Sequence, residues 1–96
     1  MQRFLIERDI PGAAHLSEAE LARIAQKSND TIETLGVPYR WITSYVVGDK
    51  FFCVHEAEDE ATVREHARRG GFPVTTVTAV SEEIGPATAR PIPSIQ

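Results

Sequence analysis

The 96-residue sequence predicts an α+β plait in the order β-α-β-β-α-β, and three observations carry that prediction. Short runs of β-branched and aromatic residues alternate with two stretches of helical period. A Gly-Asp pair joins two adjacent strand-like runs in the manner of a tight hairpin. The length supports only one core, since about 15,000 Å² of unfolded surface falls to roughly 5,500 Å² in a domain of this mass. Two βαβ-like halves give the ferredoxin-like topology, a four-stranded antiparallel sheet with both helices on one face. The right-handed crossover rule leaves few alternatives.

Each element has its own signal. Residues 3–9 are a short apolar run closed by Ile10-Pro11-Gly12, where proline and glycine stop regular structure. Ser17 with Glu20 forms an S-x-x-E capping box, and Leu21, Ile24, Ser28, Ile32 and Leu35 recur at helical steps until Gly36 and Pro38 end the helix. Residues 39–47 and 50–56 read as strands joined by Gly48-Asp49, with glycine where a type II′ turn needs positive φ. Asp59 caps a second helix through residue 69, with Val63, Ala67 and Gly70 along one side and Gly70-Gly71 and Pro73 at its end. Residues 74–83 alternate as a fourth strand. Residues 1–84 are thus expected to form the domain, and residues 85–96, with Pro86, Pro91 and Pro93, an extended or disordered tail.

Composition narrows the function classes. Fourteen acidic against ten basic residues give a net charge of −4, and no basic run exceeds Arg68-Arg69, which argues against a nucleic-acid partner. The single cysteine, Cys53, excludes an internal disulfide and a Cys-only zinc site. No apolar run reaches the roughly 18 residues of a membrane span, and the first residues are too soon charged for a signal peptide. The expected location is cytoplasmic, with no membrane contact.

The hairpin predicts a partner. A two-residue turn pairs Val47 with Lys50, and the pairs behind it run back to Ile42-His55 and Trp41-Glu56. One face then carries Trp41, Thr43, Tyr45, Phe52, Val54 and Glu56, and the other Ile42, Ser44, Val46, Phe51, Cys53 and His55. Two helices cover one side only. An exposed sheet face bearing Trp, Tyr and Phe marks an interface, so a homodimer stacked sheet to sheet is expected.

Among residues that carry chemistry, Glu7 stands out as an acid on an expected central strand, where it needs a metal, a cation or hydrogen-bond donors. It reads either as a metal ligand or base, or as half of an ion pair. His66 lies beside the Val63-Ala67-Gly70 stripe and reads either as a ligand or proton carrier, or as a histidine at the core's edge bonded to the backbone. His55 and Glu56 are adjacent on a strand and point to opposite faces, which makes them outside candidates for one site. Cys53 reads as a small buried residue rather than a nucleophile. Neither H-x-x-x-H, H-E-x-x-H nor C-x-x-C is present, so any site must be assembled by the fold.

Four stretches taken in order carry a resemblance: FLIERDIPG at residues 4–12, WITSYV at 41–46, DKFFCV at 49–54 and REHARRGGFP at 64–73. Together they resemble a family of small bacterial proteins associated with a nickel-binding, nickel-responsive member. The resemblance implies a ferredoxin-like dimer whose two sheets form an α+β barrel, and a divalent metal, nickel in that member. By position it marks Glu7, Arg8, Trp41, Ser44, Tyr45, Lys50, Cys53 and His66 as recurring. His55 departs from the pattern, which has tyrosine there, and the proline-bearing tail is also unusual.

Two functions follow as expectations. The first is a non-catalytic, nickel-like divalent-metal-binding protein with Glu7 and His66 as ligands, His55 and Glu56 as further candidates, and Arg8, Trp41, Ser44, Tyr45, Lys50 and Cys53 around the pocket. The second is a cofactor-free enzyme on a dimeric barrel, in which Tyr45, His66 and Glu7 move protons on a small molecule in a pocket walled by Trp41 and Phe52. Nickel itself does not follow from imidazole and carboxylate chemistry, which accepts several first-row ions.

Overall fold

The computed structural model describes residues 1–90 as β1 (Gln2–Asp9), α1 (Glu18–Thr34), β2 (Tyr39–Val47), β3 (Lys50–Ala57), α2 (Glu60–Gly70) and β4 (Thr76–Ala79). One antiparallel sheet holds the strands in the order β2-β3-β1-β4. This is the expected ferredoxin-like plait. Among the described residues, no helix is long and apolar enough to cross a membrane.

The helix boundaries follow the local chemistry. Ser17 Oγ accepts from Glu20 N at 3.1 Å while Glu20 Oε1 accepts from Ser17 N at 2.9 Å, the reciprocal box that satisfies two otherwise orphaned donors. Asp59 Oδ1 accepts from Thr62 N at 2.8 Å to start α2, and Gly71 ends it at φ +70°. At Gly70 a Cβ would stand 2.3 Å from the Phe72 ring, so glycine here is what lets Phe72 fold back over α2.

Strand alternation sorts the side chains. Phe4, Ile6 and Arg8 of β1 and Phe51, Cys53, His55 and Ala57 of β3 are buried beneath the helices, where Val63 and Ala67 of α2 complete the core. Arg3, Leu5, Glu7 and Asp9, with Phe52, Val54 and Glu56, take the opposite, open face.

Two expectations need correction. The hairpin keeps its register from Val47-Lys50 through Thr43-Val54, but a bulge between Trp41 and Thr43 sets Trp41 opposite His55 and Arg40 opposite Glu56. The extra residue flips the strand's remaining side chains, so Trp41 lies on the helix-covered face instead of beside Thr43 and Tyr45. β4 is four residues long rather than ten. Thr75 N and Val80 N still donate to Glu7 O and Arg3 O at 2.8 and 2.9 Å, and the pairing stops there because β1 begins at Gln2. In the tail, Pro86–Thr88 form a 3₁₀ turn in which Gly85 N donates to Thr88 Oγ1 at 2.9 Å; residues 91–96 lie outside the described residues.

Candidate functional site

The covered face holds a cluster of polar rings that the core encloses. His66, on the inward side of α2, is fully buried, with its imidazole stacked between Tyr39 (centroids 5.1 Å, 23°) and Phe72 (5.4 Å, 25°). His55 meets His66 edge to face at 5.2 Å, and its Nδ1 bonds the Tyr39 hydroxyl. His66 Nε2 lies 3.2 Å from Ser28 Oγ of α1. Its Nδ1 has no partner; among the described residues it is the one buried side-chain polar atom so left. Such an atom forfeits the hydration it had in the unfolded chain.

Burial sets the protonation of this cluster. Desolvation, then the neighbouring His66 and the Arg8 cation, push His55 down to about 3. Desolvation and Arg8 bring His66 to about 4. Desolvation also raises the Tyr39 phenol above its ordinary value. At neutral pH both imidazoles are uncharged, each with one unprotonated ring nitrogen, and the phenol keeps its proton.

Beside the rings, a cleft of about 590 Å³ opens between α1 and the β2–β3 half of the sheet. Leu21, Ile24 and Ser28 form one wall, while Trp41, Ser44, Phe51, Cys53 and His55 form the other. Arg8 and Phe72 lie at its end. Trp41 reaches it because of the bulge, and its Nε1 donates to Ser44 Oγ at 2.9 Å. The size and largely apolar lining match pockets that take small molecules.

The candidate residues divide between the two faces. Arg8, Trp41, Ser44, Cys53, His55 and His66 lie on the covered side. Glu7, Tyr45, Lys50 and Glu56 lie on the open side, so the chain does not bring Glu7 and His66 together. Glu7 is engaged by Lys50, whose Nζ donates to it at 2.5 Å and to Asp9 at 2.6 Å. Glu56 is held by Arg3 at 2.9 Å and Arg40 at 3.3 Å. This is the ion-pair alternative for Glu7. Tyr45, 59% exposed, is likewise remote from His66 across the sheet, so the Tyr45–His66–Glu7 proton-transfer set is not assembled within one chain. Among the described residues, no group of three or more His, Cys, Asp or Glu side chains is placed to hold a metal.

Sequence reasoning missed Tyr39, Ser28 and Phe72 as members of the site. Ser28 sat on the predicted inward stripe of α1, and that position was the available signal. Nothing local marked Tyr39 or Phe72, which join through β2 register and the turn after α2.

Residues 4–80 match the family described as nickel responsive protein SCO4226-like. The chain belongs to this SCO4226-like family. The crystal structure of SCO4226 from Streptomyces coelicolor A3(2) aligns with a TM-score of 0.71 at 12% identity, over 85% of this chain and 99% of that one, and so shares the fold. The NMR structure of the heavy metal binding protein TM0320 from Thermotoga maritima aligns at a TM-score of 0.46 and 20% identity, over 81% and 98% of the two chains. No curated protein matches the sequence.

Proposed function

We propose that this SCO4226-like protein is a non-catalytic binder of a first-row divalent cation, seated on the imidazoles of His55 and His66. The observation that carries this reading is the fully buried Nδ1 of His66, left without a hydrogen-bond partner beside a second imidazole that burial also keeps neutral. A metal ligand must be an unprotonated nitrogen, and both rings meet that requirement at neutral pH. The family description, nickel responsive, supports the same class of ligand.

The donor set fits a metal in part. Two nitrogens supply two positions, and solvent or small solutes would complete the coordination. Imidazole suits nickel, copper and zinc alike, with copper favoured over nickel by intrinsic affinity. Arg8 opposes a dication here, which points to a modest affinity. Glu7 and Glu56 drop out of the ligand set because each is neutralised on the other face.

The open face supports the second part of the reading, a homodimer. Leu5 and Tyr45 are exposed there next to Phe52 and Val54, and a second copy stacked on this surface would cover them.

Calorimetry with nickel, copper and zinc salts on tag-free protein tests the metal reading. Saturable binding is expected, lost in folded His66→Phe and His55→Phe and retained in Glu7→Gln. Binding unchanged in both histidine variants would overturn it.

A further inference from the structure

We infer that the cleft between α1 and the β2–β3 hairpin is a binding site for a small organic monocarboxylate with an apolar body, and that Arg8 is its counter-ion. This goes beyond the metal reading and does not depend on it.

The inference starts from an uncompensated charge. Arg8 is 97% buried by its 3% exposure, yet among the described residues no carboxylate lies within ion-pair distance of it. Its guanidinium offers five N–H donors, and one bond is made, from Nη1 to Pro73 O at 2.8 Å. The Phe72 ring lies 5.6 Å from its Cζ, a cation–π contact that holds the plane without neutralising it. Neighbours in sequence cannot serve: Glu7 and Asp9 are both bound by Lys50. A buried cation left in this state is costly, and the protein's own side chains do not relieve the cost.

The unused donors open onto the cleft. Arg8 lines it, and no Arg8 nitrogen is both sealed from solvent and partnerless, so the N–H groups without protein acceptors face the cavity. Lys27 adds a second cation on the rim, 5.8 Å from the same Phe72 ring. Asp9, the one acid on the rim, is already paired with Lys50. The rest of the lining is mainly apolar, with Leu21, Ile24, Trp41 and Phe51, and its Ser28 and Ser44 hydroxyls already bond His66 and Trp41, which leaves little for a highly hydrated anion such as phosphate. A planar carboxylate fits the guanidinium fork in a bidentate manner, and an attached hydrocarbon fits the walls.

Trp41, the single tryptophan, lines the cleft and reports on its contents. The experiment titrates the full chain with octanoate, octanamide and inorganic phosphate, read by tryptophan emission and calorimetry. Octanoate is expected to bind at least about tenfold more tightly than octanamide, as a charge-assisted pair predicts. In Arg8→Gln that preference should vanish, with octanoate falling to the octanamide level. The unliganded Arg8→Gln protein should melt no lower than the natural one, because a neutral side chain replaces an unpaired buried charge; a merely structural arginine would instead lower the melting temperature. Equal binding of acid and amide, no saturation by octanoate, or octanoate binding unchanged in folded Arg8→Gln would each overturn the proposal. Phosphate binding as tightly as octanoate would also overturn it, by assigning a general anion hole. If Arg8→Gln does not fold, the acid-against-amide comparison on the natural protein still decides.

Discussion

The two faces of the sheet handle polar groups in opposite ways. On the open face, charges neutralise one another: Lys50 bridges Glu7 and Asp9, and Arg3 joins Glu56 to Glu83. On the covered face, β1 and β3 present Arg8 and His55 to a helix that adds His66, with no carboxylate among them. Paired surface charges are cheap and contribute little. Polar groups sealed in a core without matching partners cost stability, and a fold that keeps them has a site there to explain.

The comparison can be broken or sharpened by experiment, and acid should give the largest effect. The unfolded imidazoles titrate near 6.5, whereas the folded ones are held near 3 and 4. Below the unfolded value, the unfolded chain binds more protons. Stability should therefore be full above about pH 6.5 and fall as pH drops toward 4, with a slope of up to about 2.7 kcal/mol per pH unit for two histidines. Chemical denaturation across this range measures it, and His66→Phe should roughly halve the slope. A flat profile would mean that the rings are hydrated in solution.

Neighbouring residues on β1 give the next contrast. Ile6 is fully buried, and Ile6→Ala should cost about 2–5 kcal/mol in denaturant titrations at any protein concentration. Leu5 is 41% exposed. If the open face pairs two copies, the loss in Leu5→Ala should be largest at high protein concentration and shrink as protein is diluted, and sedimentation of Tyr45→Arg should show a single-chain mass. A natural protein that already sediments as one chain removes the dimer.

The smallest effect should come from Lys50→Met. It frees Glu7 and Asp9 on an exposed surface, so a slight loss of stability is expected at low salt that disappears as salt is raised. Metal binding should be untouched, because His55 and His66 lie on the other face, whereas octanoate binding should weaken, because Asp9 on the cleft rim loses its counter-ion.

Much of this architecture was legible residue by residue. The Ser17–Glu20 box, the Asp59 cap and the two-residue turn at Gly48 are contacts between near neighbours, and each stands where the sequence places it. The site was less legible, for identifiable reasons. Glu7 stood out correctly as an acid in need of a partner, but that partner is Lys50, 43 residues away. Trp41 changed faces because β2 takes one extra residue, and no local composition announces that bulge. His66 was visible on the inward stripe of α2, while Tyr39 and Phe72, which sandwich it, were not.

By itself, then, the sequence determined the order of the elements, their caps and turns, and the inward period of β3 and the two helices, because these depend on interactions within a few residues. Only the tertiary structure decided that His55, His66, Tyr39 and Arg8 converge on one side while Glu7 and Glu56 are neutralised on the other. Convergence depends on register, on a single bulge and on helix placement, and a one-residue shift in any of these exchanges the faces.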